Sequence, residues 1–96
     1  MAIAILDYGS GNLRSAHRAF ERSGREVLIT SDYSLALEAE GLVVPGVGAF
    51  GACMEGLISV RGDQIVLERA ALNRPTLGIC VGMQILFSAG VEYGNH

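Results

Sequence analysis

The chain has 96 residues, half of them hydrophobic, and a formal net charge of −3. That length allows one domain, burying about 60–65% of its unfolded surface. The acidic balance leaves no electrostatic footprint for nucleic acid, and no run of like charges marks a tail or a membrane-surface helix.

The opening run Met1–Asp7 has no basic region and is too short for a signal peptide or a membrane span. The mostly apolar stretch Gly78–Val91 is also too short, and Gly82 and Gln84 interrupt it. The cytoplasm is the expected address. Ala2–Asp7 reads as a buried strand ending in the turn Gly9-Ser10-Gly11. Asn12 is placed to cap a helix over 13–23, with Leu13, Ala16 and Phe20 on one face, and Gly24 stops it. Glu26–Thr30 is a second strand, and Ser34–Ala39 a single short helical turn. Gly41–Val44 is a third strand, ended by Pro45. The loop Pro45–Gly51 follows, then a short helix near Ala52–Ile58. Asp63 is expected to cap a helix over 64–73. Thr76–Cys80 is a fourth strand, followed by a helix over Val81–Ser88. There are no repeats, low-complexity segments or linkers. Strands alternating with helices predict a parallel sheet with right-handed crossovers and helices on both faces.

In such sheets, ligands bind outside the carboxyl ends of the strands. Gly9–Asn12, Pro45–Gly51 and the turn at Cys80 all fall on that edge. Around Cys80 the sequence reads Leu77-Gly78-Ile79-Cys80-Val81-Gly82-Met83-Gln84. This G-x-C-x-G spacing is the sulfur counterpart of the nucleophile elbow, where a strand turns sharply into a helix. The helix N-terminus behind such a turn favours negative charge and lowers a thiol pKa. The competing reading is a buried, inert cysteine. Pro45–Gly51, with three glycines, can turn backbone N–H groups toward a ligand oxygen. The two features together favour acyl transfer. The N–H of Val81 and one from Val47 or Gly48 would hold the oxyanion.

Other motifs weigh less. Cys53 and Cys80 lie far apart without metal-ligand spacing and read as separate thiols, so no metal site is expected. Gly9-Ser10-Gly11 with Asp32 imitates a dinucleotide fingerprint, but Arg14 occupies the third glycine position. Arg61-Gly62-Asp63 spells an adhesion tripeptide in a chain with no sign of secretion. His17 falls on the polar flank of the first helix. Cys80, Glu92 and His96 copy the order of a hydrolase triad. However, the helix after Cys80 carries the chain about 12 Å away from the strand edge. Residues 90–96 would return only if extended, over about 20 Å. No base is therefore assigned.

Three segments carry a family resemblance: Leu6–Leu13 (LDYGSGNL), Val44–Gly51 (VPGVGAFG) and Leu77–Phe87 (LGICVGMQILF). With them the whole chain resembles the class I (triad) glutamine amidotransferases. Pro-Gly-Val-Gly, where other members more often carry Pro-Gly-Gly, and Asp-Tyr-Gly-Ser-Gly-Asn point to the branch serving imidazole glycerol phosphate synthase. The resemblance implies a flavodoxin-like α/β fold and no cofactor. It implies that Cys80 attacks the glutamine side-chain amide, forms a γ-glutamyl thioester and releases ammonia, after which water releases glutamate. Pro45–Gly48 would be the oxyanion strand, with Val47 the peptide whose N–H turns inward. Val81 would be the second donor, and Gly46 and Gln84 would line the glutamine pocket. The ammonia would pass to a (β/α)8-barrel cyclase subunit in histidine biosynthesis, with Asn12 near that interface.

Family members run to about twice this length and carry a His-x-Glu-type base and orienter near their C-terminus. Residues 1–96 are thus expected to be the N-terminal portion of a type-1 glutamine amidotransferase domain, a truncated fold inactive alone. Two other readings are another class I amidotransferase or flavodoxin-like cysteine hydrolase, and a non-catalytic partner-binding module.

Overall fold

The computed structural model describes residues 2–9, 11–46 and 50–80, with Phe50 and Cys80 described by their backbone. Among these residues eight elements follow one another: β1 (Ala2–Leu6), α1 (Leu13–Glu21), β2 (Glu26–Thr30), α2 (Tyr33–Glu38), β3 (Gly41–Gly46), α3 (Phe50–Ser59), α4 (Gly62–Ala71) and β4 (Thr76–Cys80). The strands form one parallel sheet in the order β2-β1-β3-β4. The expected α/β architecture with helices on both faces is observed.

Alternation along the strands explains the two faces, since successive side chains point to opposite sides. Ala4 and Leu6 of β1 join Leu42 and Val44 of β3, Ala36 of α2, Cys53 and Leu57 of α3, and Ile65 and Val66 of α4 in the main core. Ile5 and Val43 face the other way, against Ala16 of α1, with Leu13, Phe20 and Ile79 packed around them. Three helices therefore cover one face and, among the described residues, α1 covers the other. Full burial of Ile5, Leu6, Leu42, Leu57 and Ile65 stabilises by about 1.5–3 kcal/mol per side chain.

The first helix forms as its cap predicts. The Asn12 side chain accepts a hydrogen bond from the Ser15 N–H at 3.0 Å, satisfying one of the unpaired donors of the first turn. The helix ends at Glu21 rather than residue 23, and Gly24 turns the chain away at φ +84°. α2 begins one residue earlier than expected because Asp32 caps it, accepting from the Leu35 N–H at 3.0 Å. That carboxylate serves the helix cap.

Three sequence expectations are corrected. β3 does not stop at Val44 but runs through Pro45 to Gly46. The Leu42 N–H donates to Pro75 O, so alternation turns the amide position of Pro45 toward β1, where pairing has already ended at Val43. Proline removes no ladder bond there. α3 is longer than the short helix expected, spanning Phe50–Ser59. Asp63 is not the cap of α4. It lies in the first turn, and Arg61 occupies the cap position in the left-handed region at φ 61°. The Arg61 guanidinium instead sits 4.3 Å from the centre of the Tyr33 ring, and the Tyr33 hydroxyl donates to the Glu68 carboxylate. These contacts tie α2 to α4.

Arg69 is fully buried beneath that junction. Its Nη1 donates to Ala36 O, Leu37 O and Ala39 O at 3.0, 3.0 and 2.8 Å. Its Nη2 reaches Pro75 O at 2.6 Å, and its Nε reaches the Thr76 hydroxyl at 3.2 Å. One guanidinium thus satisfies the terminal carbonyls of α2, where a cation is favoured, and fixes the start of β4.

Candidate active site

The sheet order creates the site. After β1 the chain first adds β2 on one side and then crosses to place β3 on the other. The helices that follow β1 and β3, α1 and α3, pack on opposite faces of the sheet, the arrangement in which a crevice opens at the carboxyl ends of the strands. β4 adds next to β3 in register, pairing Pro45 with Ile79 and Gly46 with Cys80. The cysteine backbone and the start of the glycine-rich segment therefore lie side by side at the carboxyl edge, where the sequence reading puts both.

The β1–α1 turn is pressed against the same point. Gly11 has φ +92°, and a Cβ there would lie 2.8 Å from the Pro45 Cβ. The Tyr8 side chain, 4% exposed, donates its hydroxyl hydrogen bond to Pro45 O. Gly56 of α3 backs onto the same residue, since a Cβ at Gly56 would lie 2.4 Å from Tyr8 O. Close approach of backbone to backbone is what glycine permits at these positions. The turn that imitates a dinucleotide fingerprint is thus packed onto Pro45.

An apolar groove of about 260 Å3 runs beside the pair, lined by Asn12, Ala16, Pro45, Gly46 and Ile79 among others. A second groove of about 320 Å3 lies further down the same face, lined by Ile3, Phe20, Val43 and Leu77 among others. Both are mostly hydrophobic, as ligand clefts commonly are.

Cys53, the other thiol, is 2% exposed in the main core. His17 lies on the far flank of α1, 4.0 Å from Glu21 and beside Leu13, Arg14 and Ile29. The structure does not bring it to the Gly46–Cys80 edge. Gly46 is buried in β3, and Asn12 is exposed at the rim of the groove. Val47, Gly48, Val81, Gln84, Glu92 and His96, together with the helix expected over Val81–Ser88, lie outside the described residues. Among the described residues no group of three or more His, Cys, Asp or Glu is placed to hold a metal ion, and no helix is long and apolar enough to cross a membrane.

Reading by motif passed over Tyr8 and Arg69 as contributors. Arg69 was visible in the spacing: Ile65, Val66 and Arg69 fall at i, i+1 and i+4 on one helix face, so the arginine shares the apolar side. Tyr8 carried no local signal, because its partner is 37 residues away.

Comparison with known proteins identifies the lineage. The family described as Glutamine amidotransferase class-I matches residues 4–93. The chain is 61% identical over 93 residues to the Imidazole glycerol phosphate synthase subunit HisH of Mycobacterium tuberculosis (strain ATCC 25618 / H37Rv), covering 97% of this chain and 45% of that protein. It is 66% identical over 90 residues to the protein of the same name from Thermobifida fusca (strain YX), covering 94% and 43%. With the Corynebacterium diphtheriae protein of that name it shares 61% identity over 92 residues, covering 96% and 44%. The chain spans a little under half the length of these curated relatives.

Proposed function

The chain belongs to the class I glutamine amidotransferase family, and on that premise we propose that it carries the nucleophile half of a cytoplasmic glutaminase subunit of imidazole glycerol phosphate synthase. The observation that carries this reading is the pairing of Gly46 with Cys80 at the crevice edge. The high identity to subunits named HisH supports this branch of the family.

In this reading the Cys80 thiolate attacks the side-chain amide carbon of glutamine. The C–N bond breaks, ammonia leaves with an added proton, and a γ-glutamyl thioester remains. Water then adds to the thioester, releases glutamate and restores the thiol. The negative charge that develops on the carbonyl oxygen in both steps is held by backbone N–H groups. Val47 or Gly48, just beyond Gly46, supplies one donor and Val81 the other. Gly46 and Gln84 line the glutamine pocket. Residues 1–96 supply the nucleophile and oxyanion donors in this reading, and His17, the one histidine among the described residues, stands away from the site. Ammonia passes to a (β/α)8-barrel cyclase partner, with Asn12 at the rim that meets it.

The test uses a chloroketone analogue of glutamine, whose carbon takes sulfur as chloride leaves. Mass mapping should find the adduct on Cys80 and not on Cys53, with the L-enantiomer reacting faster than the D-enantiomer. Equal labelling of both cysteines, or equal rates for the enantiomers, would overturn the proposal in favour of a non-catalytic binding module.

A further inference from the structure

We infer that Tyr8 is a positioning residue for the oxyanion strand, acting through its hydroxyl on the carbonyl of Pro45; this rests on the glutaminase reading above. The Tyr8 ring is buried in the main core, and its hydroxyl donates to Pro45 O. A buried phenol of this kind needs such a partner, and its packed ring leaves the hydroxyl little freedom to move. The carbonyl of Pro45 and the N–H of Gly46 belong to one planar peptide unit. Fixing the oxygen fixes the plane. That plane is the last one before the Val47 peptide, and it stands beside Cys80 in the β3–β4 register.

The anchor is itself held from two sides. Gly56 lets α3 come directly against the Tyr8 carbonyl, and Gly11 lets the β1–α1 turn come directly against Pro45. β3 has lost its β1 partner by this point, since that pairing ends at Val43. The Tyr8 hydroxyl therefore takes over on the β1 side where the sheet ladder stops. Small displacements of a donor are costly to reaction rate, because oxyanion stabilisation depends on preorganised geometry. Through Pro45, the hydroxyl can thereby control attack by Cys80.

Tyr8→Phe tests this, since it keeps the ring and removes the donor. The chain has two prolines, Pro45 and Pro75. With proline carbonyl carbon and amide nitrogen labelled, NMR reports each carbonyl separately through Gly46 and Thr76. The Pro45 signal should move upfield in Tyr8→Phe. The Pro75 signal, whose oxygen accepts from Arg69 and Leu42, should stay. The rate of Cys80 with the glutamine chloroketone should fall about tenfold, while its rate with iodoacetamide, which needs no oxyanion donor, should not change. An unmoved Pro45 signal, or an equal fall with both reagents, would overturn the inference. A wild-type chain that ignores the chloroketone would sink the glutaminase reading and Tyr8's role in attack, leaving the NMR arm to judge the anchor alone. Should Tyr8→Phe fail to fold, 3-fluorotyrosine at position 8, a stronger donor, must move the Pro45 signal downfield, and no movement would overturn the anchor.

Discussion

Gly46 and Cys80 are register partners at the carboxyl ends of two adjacent parallel strands. Neighbouring strands lie about 4.8 Å apart. In the glutaminase reading proposed above, this register would set the spacing between the Cys80 nucleophile and the oxyanion donors.

Gly9 and Gly11 separate conformational strain from steric fit. Both have positive φ, +86° and +92°, but a Cβ at Gly9 would meet nothing within 4 Å, whereas one at Gly11 would strike Pro45. Gly9→Ala should cost about 1 kcal/mol, the conformational part alone. Gly11→Ala should cost about 2–4 kcal/mol and also slow chloroketone labelling of Cys80. Urea unfolding of both variants checks the difference, and equal losses would count against a tight Gly11–Pro45 contact.

Leu57 and Ile58 are adjacent on α3 yet differ in burial, at 0% and 54% exposed. Leu57→Ala should destabilise by about 2–5 kcal/mol through the cavity it leaves. Ile58→Ala should stay within about 0.5 kcal/mol. Comparable midpoint shifts in denaturant melts would contradict the assigned orientation of α3.

Arg69→Met keeps much of the volume but removes the guanidinium bonds to four carbonyls and the Thr76 hydroxyl. Pro75 O keeps its Leu42 donor and Leu37 O its Arg74 donor, while Ala36 O and Ala39 O lose theirs. A loss of about 3 kcal/mol or more is expected, because buried acceptors would go unsatisfied. Arg69→Lys should recover little, since a compact ammonium cannot reproduce the planar fork. Full recovery with lysine, measured by the same melts, would show that charge alone matters.

Glu40 gives the chain a pH dependence. Its hydrogen bond with Arg25 holds the carboxyl below its ordinary value of 4.5. A depressed folded pKa contributes stability that is complete above the unfolded value and is lost as pH falls through the folded one. Glu40→Gln should thus flatten part of the stability loss between about pH 5 and pH 3 and leave the slope above about pH 6 unchanged. Unfolding midpoints collected across that range check the sign, and a steeper acid limb in the variant would refute it.

The strands were legible wherever a short apolar run met a turn signal, as at Ala2–Leu6, Glu26–Thr30 and Thr76–Cys80. The Asn12 cap was legible because its bond closes within three residues. Pro45 misled because a proline's effect on a strand depends on which neighbour its missing N–H would face, and only the sheet order decides that. Asp63 misled because Arg61 could take the cap position through a left-handed backbone that no side-chain pattern announces. The site was legible in its types, a thiol and a glycine-rich loop. Their adjacency was not, because it depends on β3 and β4 pairing across more than thirty residues of intervening chain.

Among the described residues, the Arg69 fork touches main-chain oxygens and one hydroxyl, and no carboxylate. It recognises the path of the segment from Ala36 to Ala39 without reading its side chains. Half-buried Leu37 and exposed Glu38 can therefore change in a lineage without altering what the guanidinium binds. The strand that carries Cys80 would keep its position through such drift, provided the single arginine is retained.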